Sequence, residues 1–309
     1  MEGVGVQRQE KCARLSAMKG IIVAAGYGTR FLPVTKTVPK EMLPLVNVPS
    51  IQFIVDEFVS SGITEILIIS SRRKKVLEDY FDREVELEGV FEREGKKAQL
   101  DSISPRDVSV SFIRQQRMMG TGHALLQARP WLGGEPCVVA YPDDLHFGPV
   151  PLAAQLVDAW KETGCSVMAS ITEEGDVSRY GVLAIARDGE HVTAIVEKPA
   201  PGTEPSHEVS IGRYLYTSEF FEHLAEGWRL HLEAAAAENR PAGEYYHIYA
   251  LNKLMSAGKV VYRKTAGTRL DTGEPAGYLD AVLRYADSNP QLRSVIDNFI
   301  AQRSSTSLL

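Results

Sequence analysis

The sequence predicts one wound α/β domain that ends in helices, and three observations carry that expectation. Uninterrupted apolar runs mark strands covered on both faces. Segments of helical periodicity alternate with them, and a strand-rich stretch follows Gly164.

The first apolar run is Gly20-Ile21-Ile22-Val23-Ala24-Ala25. A Gly-rich turn follows, then a segment held open by Pro33, Pro39, Pro44 and Pro49. Ile51, Ile54, Val55, Phe58 and Val59 then recur at the spacing of an amphipathic helix, which Gly62 stops. Glu65–Ser70 reads as the next strand, so a right-handed parallel βαβ unit opens the domain. Val108–Arg114 and Cys137–Tyr141 read as strands, Thr121–Arg129 and Leu152–Thr163 as helices. Beyond Gly164, strands are expected at Cys165–Ile171, Tyr180–Ala186, His191–Val196 and Val209–Thr217, antiparallel additions to the same sheet or beside it. Val260–Thr265 is a further strand, and helices are expected at Ser218–Glu226, Glu244–Ala257 and from Pro275 onward. The charged stretch Asp82–Gln99 reads as a solvated helical insertion. Residues 1–17 are polar and unpatterned, so a flexible extension before a single domain at 18–309 is expected, with Met18 an alternative start.

A chain of 309 residues can bury a substantial core without disulfides. Its 44% hydrophobic and 24% charged residues are ordinary for a globular protein. A net charge of −6 argues against a general nucleic-acid partner, since phosphate backbones are met by clustered Lys and Arg. Cys12, Cys137 and Cys165 are widely spaced and form no C-x-x-C, which points to free thiols in a reducing cytoplasm. No apolar run approaches the roughly 20 residues that span a bilayer, and the N-terminus lacks a secretory pattern, so no membrane partner is expected.

Four strand-end signals carry chemistry. Gly26-Tyr27-Gly28-Thr29-Arg30 follows the first strand, where glycines let backbone N–H groups approach phosphate oxygens. It is neither a dinucleotide fingerprint, since Phe31 stands where a third glycine belongs, nor a P-loop. It reads as a tight turn or as a phosphate loop, and Arg30 with Lys40 favours the second. Tyr141-Pro142-Asp143-Asp144 and Leu270-Asp271-Thr272-Gly273 each read as an acidic turn or as a carboxylate for a hard cation. Glu197-Lys198-Pro199 reads as a solvent-facing turn or as a phosphate-binding lysine.

Taken together, in order and rough spacing, these stretches make the chain resemble the bacterial UTP–glucose-1-phosphate uridylyltransferases, or UDP-glucose pyrophosphorylases, from about Lys19 to about Tyr285. Ala24 to Pro33 and Pro39 to Leu45 are the most specific matches. Others are Arg114-Gln115, Gly120 to Ala124, Tyr180-Gly181-Val182, Glu197-Lys198-Pro199, Gly212-Arg213-Tyr214 and Asp271-Thr272-Gly273. The resemblance implies a three-layer α/β/α nucleotidyltransferase fold, Rossmann-like, with a mixed central sheet. It implies Mg²⁺-assisted transfer of the uridylyl group of UTP to glucose 1-phosphate. Ala24, Ala25, Gly26 and Gly28 would line the nucleotide, with Arg30 and Lys40 on its phosphates. Gln115 and Gly120 would read the uracil edge, one donor and one acceptor of the Gln115 amide matching O4 and N3–H. Asp143 and Asp271 would hold Mg²⁺. Gly181, Glu197 and Gly212 would surround the sugar, with Lys198 on its phosphate. A homo-oligomer is expected.

The chain departs from the family pattern at three places. Asn47-Val48-Pro49 replaces Asp-Lys-Pro, Gln116 replaces Gly, and Tyr246-His247-Ile248-Tyr249-Ala250 replaces Gln-Leu-Thr-Asp-Ala. His247 there reads as a packing or rim residue. Rival readings are the same transfer with dTTP or another hexose 1-phosphate, a GT-A glycosyltransferase, and a silent nucleotide-sugar sensor. Asp143-Asp144-Leu145 does not fit the D-x-D motif of the second. Retention of Arg30, Lys40, Asp143, Lys198 and Asp271 opposes the third.

Overall fold

The structure is a computed structural model that describes residues 18–104 and 107–306, without the side chains of 304–306. The expected extension at 1–17, with Cys12, lies outside the described residues.

The elements run β1 (Lys19–Val23), β2 (Pro44–Leu45), β3 (Val48–Pro49), α1 (Ser50–Ser60), β4 (Glu65–Ser70), α2 (Val76–Phe81), α3 (Val85–Glu94), α4 (Lys97–Ile103) and β5 (Ser109–Arg114). They continue with α5 (Gly120–Leu132), β6 (Cys137–Ala140), β7 (Asp144–Phe147), α6 (Leu152–Thr163), β8 (Ser166–Thr172), β9 (Gly181–Ile185), β10 (Val192–Glu197) and β11 (Glu208–Tyr216). Last come α7 (Ser218–Ala237), α8 (Ile248–Ser256), β12 (Val260–Lys264), β13 (Thr268–Asp271), α9 (Pro275–Ser288) and α10 (Pro290–Thr306).

One nine-stranded mixed sheet has the order β10-β9-β11-β6-β1-β4-β5, with β8 beside β11 and β12 beside β8. β1 pairs in parallel with β4 and β6, while β11 runs antiparallel to β6, β8 and β9. The apolar runs are uninterrupted because both faces are covered. Ile22, Ile66, Ile68 and Val138 pack with Ile54, Phe58 and Leu156, from α1 and α6. Ile21, Leu67, Ile69 and Val139 face the other way, onto Leu125, Phe220, Leu224 and Leu251 of α5, α7 and α8. Three layers result, as expected.

Three expectations need correction. The helix expected at Ser218–Glu226 runs on to Ala237. The helix expected from Glu244 begins only at Ile248, because the backbone of Tyr245 bonds elsewhere, to Met119 and Gly122. Asp144 does not end in a turn but opens β7, which pairs with β13 in the register Asp271↔Asp144. Cys137 is buried and Cys165 half-buried, and both are free thiols. Among the described residues, no helix is long and apolar enough to cross a membrane.

Two buried ion pairs brace the carboxyl side of the sheet. Arg213 on β11 donates through Nε and Nη2 to the two oxygens of Glu57 on α1, at 3.0 and 2.9 Å. Glu57 also accepts from the backbone of Ala153 at the start of α6, and Arg213 from its side donates to the Asp144 carbonyl. Lys74, just after β4, lies 2.7 Å from Glu41. Burial pushes the Lys74 ammonium below its ordinary pKa, against the pull of Glu41.

Candidate active site

Beyond the carboxyl ends of β1 and β6 the chain opens a recess lined by Gly28, Arg30, Lys40, Asp143 and Gly273, the position where open α/β sheets bind ligands. Ala24 and Ala25 are buried beneath it, and Ala24 continues the strand pairing by donating to the Ile69 carbonyl at 2.9 Å. Gly28 takes φ of 68°, a left-handed conformation that turns the chain into a short 3₁₀ helix, Thr29–Phe31. The Thr35 hydroxyl donates to the Gly28 carbonyl at 2.7 Å and fixes the loop.

Charges converge in this recess. Lys40 Nζ lies 2.6 Å from Asp143 Oδ2, and Arg30 Nη1 reaches the Gly273 carbonyl at 3.4 Å. Burial alone would push the Asp143 carboxyl up, but Lys40 and Arg30 hold it below the usual carboxylate range. Gly273 donates to Asp271 Oδ1 at 2.9 Å, and Thr272 donates to the Asp143 carbonyl at 2.8 Å. A Cβ on Gly273 would meet Asp271 Oδ1 at 3.0 Å, Asp143 Oδ2 at 3.4 Å and Arg30 Nη1 at 3.5 Å. Two carboxylates and a guanidinium therefore border the space beside Gly273.

Among the described residues, no three His, Cys, Asp or Glu side chains gather as a metal cluster. Two carboxylates are nevertheless what Mg²⁺ takes in phosphoryl-transfer sites, with water and substrate phosphates completing its octahedron. The donor set fits that ion.

The expected sugar residues form a second group on β9, β10 and β11. Gly181 pairs with Glu197, whose Oε2 would lie 3.0 Å from a Cβ on that glycine. Lys198 has φ of 49°, rare for a residue with a side chain, and its N–H donates to the Tyr180 carbonyl at 2.9 Å. Gly212 donates to Asp144 Oδ2 at 2.7 Å. No hydrogen bond or ion pair of the described residues joins Lys198 to the recess of Lys40 and Asp143. The link is Arg269, which the sequence reading passed over. Its guanidinium donates to both oxygens of Asp144, reaches Asp271 Oδ2 at 3.2 Å, and lies 5.7 Å from the Tyr180 ring centroid. A signal was present, since Arg269 stands two residues before Asp271 on one strand and shares its face. Burial raises the Asp144 carboxyl above its ordinary pKa, although Arg269 pulls it down.

A third recess, of about 400 Å³, opens between Tyr27, Ser71, Arg72, Gln115, Gln116 and Met118. Gln115 is almost fully buried in its wall, and its Nε2 lies 3.1 Å from the Gly120 carbonyl. Gly120 takes φ of 86°, and a Cβ there would lie 2.5 Å from the Tyr245 carbonyl. His247, as expected, packs rather than projects. It shares a bond of 3.0 Å with the Thr121 hydroxyl and sits among the rings of Tyr141, Tyr214 and Tyr216.

Residues 19–288 match the family model described as nucleotidyl transferase. A UTP–glucose-1-phosphate uridylyltransferase of Staphylococcus epidermidis is 37% identical over 291 residues, 92% of this chain and 97% of that one. One from Streptococcus pneumoniae is 40% identical over 294 residues, 92% of this chain and 95% of that one. Among solved structures, a UTP-bound UGPase from Acinetobacter baumannii superimposes with a TM-score of 0.79 at 29% identity, covering 92% of this chain and 98% of that one. A UDP-glucose pyrophosphorylase complexed with UDP-glucose gives a TM-score of 0.73 at 33% identity, covering 88% and 99%.

Proposed function

This chain belongs to the nucleotidyl transferase family, and from that premise we propose that it transfers the uridylyl group of UTP to glucose 1-phosphate, releasing pyrophosphate. The observation that carries the reading is the convergence of Arg30, Lys40, Asp143 and Asp271 around Gly273.

The sugar phosphate is anionic at neutral pH, so it attacks the α-phosphorus without a general base. The new P–O bond forms as the bond to the β-phosphate oxygen breaks, and pyrophosphate carries the electron pair away. What remains for the protein is alignment and charge neutralisation. The loop Gly26–Gly28 presents backbone N–H groups to the triphosphate, and Arg30 and Lys40 offset its charge. Lys198 holds the sugar phosphate, with Gly181, Glu197 and Gly212 around the hexose. Gln115 and Gly120 face the base. Asp143 and Asp271 would hold Mg²⁺, which when bound supplies electrostatic stabilisation of the charge developing on the phosphates. The same reading puts the reaction in the cytoplasm and in a homo-oligomer, the latter supported by exposed Val295 and Phe299 on α10.

Pyrophosphate release, measured with each of UTP, dTTP, CTP and ATP against several sugar 1-phosphates, tests the proposal. UTP with glucose 1-phosphate is expected to give the highest kcat/KM. A higher value for another pair reassigns the substrate, and no release with any pair removes the activity.

A further inference from the structure

We propose that His123 is a specificity-determining positioning residue: it accepts a hydrogen bond from Gln115 and thereby leaves only the amide oxygen of Gln115 for the nucleobase. This rests on reading the recess beside Tyr27 as the base pocket.

The orientation of the Gln115 amide follows from its surroundings. The atom 3.1 Å from the Gly120 carbonyl must be the nitrogen, because a carbonyl oxygen only accepts. The second N–H of that nitrogen meets His123 Nδ1 at 3.0 Å. Nδ1 accepts only if the imidazole is neutral with its proton on Nε2. Gln127 Nε2 donates to the His123 carbonyl at 3.1 Å. It stands 3.5 Å from His123 Nε2, a longer approach than the 3.0 Å at Nδ1 that sets the tautomer. Burial lowers the His123 pKa and so favours that neutral form.

Both partners are themselves held from behind. The Trp228 ring packs 5.1 Å from the imidazole. The Gly120 segment is clamped by two backbone bonds, Tyr245 to the Met119 carbonyl at 2.7 Å and Gly122 to the Tyr245 carbonyl at 2.9 Å.

A primary amide has two N–H groups, and here both are engaged inside the protein. Oε1 is the one hydrogen-bonding atom of the side chain that remains for a ligand. This narrows the sequence expectation, in which Gln115 offered one donor and one acceptor. An acceptor at this place pairs with N3–H of uracil and repels N3 of cytosine, which also accepts. Thymine shares N3–H with uracil, so the device separates UTP from CTP and is neutral towards dTTP.

The test is steady-state kinetics of the full-length protein with UTP and CTP at saturating glucose 1-phosphate. His123→Leu removes the acceptor and lets the amide turn, so the UTP-over-CTP ratio of kcat/KM falls by about tenfold, the effect of losing one hydrogen bond. The KM for glucose 1-phosphate stays within about twofold, which a general structural defect would not spare. His123→Asn places a side-chain carbonyl near the former Nδ1 and restores the ratio. Should His123→Leu fail to fold, His123→Ala, which has no acceptor, carries the same expectation.

An unchanged ratio in the leucine variant, or equal loss in the asparagine variant, overturns the proposal. Gln115→Ala separates the two levels of the argument. If it collapses the ratio while His123→Leu does not, only the role of His123 fails. If Gln115→Ala leaves the ratio intact as well, the base pocket is elsewhere.

Discussion

Lys40 Nζ and Asp143 Oδ2 are direct partners at 2.6 Å, so the cation assigned to the triphosphate and the carboxylate assigned to the metal neutralise each other. A divalent ion on Asp143 competes with that ammonium, and a triphosphate gives the ammonium a new partner. Metal and nucleotide binding are therefore coupled, and the coupling is reciprocal. Calorimetry is expected to show Mg²⁺ binding more tightly in the presence of UTP, and UTP more tightly with Mg²⁺. In Lys40→Met the free protein binds Mg²⁺ at least as well as the parent, while UTP binding weakens by about tenfold or more. Weaker Mg²⁺ binding in that variant would contradict the competition.

Asp143→Asn and Asp271→Asn keep the size of the side chains but remove the charges that meet around Gly273. Each is expected to lower kcat by on the order of a thousandfold, about 4 kcal/mol in the barrier. Neither residue lies in the apolar core, so melting temperatures should move only slightly. Pyrophosphate release from either variant at parental rate, or from the parent in excess chelator, would remove the metal from Asp143 and Asp271.

Lys198→Ala deletes the cation at the end of β10. The loss of one charge-assisted phosphate contact costs about 1.5–3 kcal/mol, roughly a 10- to 150-fold rise in KM for glucose 1-phosphate. KM for UTP is expected to stay near its parental value. The reverse pattern would put the lysine on the nucleotide.

The parts legible in the sequence share one property, that a local pattern decides them. β1, β4 and β6 could be read because each is buried on both faces and so loses its polar residues. The strand-end motifs around Gly28, Asp143 and Asp271 could be read because their spacing is fixed within each motif. What escaped depends on contacts across the chain. Residues 244–247 read as the first turn of a helix, yet the Tyr245 backbone bonds to Met119 and Gly122 and holds the segment open. Asp144 looked like the second half of an acidic turn until Arg269, 125 residues away, gave it a partner. The engagement of the Gln115 amide by His123 is a matter of three dimensions, although the two are only eight residues apart.

The Glu57–Arg213 pair predicts where stability is concentrated. Side-chain exposures of 6% and 1% put both charges out of reach of water. Glu57→Ala strands the guanidinium beside the Asp144 carbonyl and frees the first turn of α6, which costs about 3–5 kcal/mol. Urea unfolding is the check, with a lower midpoint at unchanged slope expected. A change below about 1 kcal/mol would mean that water or another carboxylate reaches Arg213.

His247 gives the protein a dependence on acid whose sign can be worked out. Burial among Tyr141, Tyr214 and Tyr216 pushes its pKa down to about 4. An unfolded chain has the ordinary value of about 6.5, so below that pH the unfolded state binds a proton the folded state resists. The stability associated with the neutral imidazole is thus complete above about pH 6.5. It is lost as pH falls towards 4, and below that both states are protonated. A shift of this size corresponds to about 3 kcal/mol at most, and the partial exposure of the ring reduces it, so about 1–3 kcal/mol is expected. His247→Leu removes the titrating group but keeps an apolar side chain against the tyrosines. Asp143 and Asp144 titrate in the parent and the variant alike, so they cancel in the difference. Melting temperatures taken from pH 7.5 to pH 4 should fall more steeply for the parent than for the variant. Parallel curves over the whole range would show that His247 takes up its proton without resistance in the folded protein.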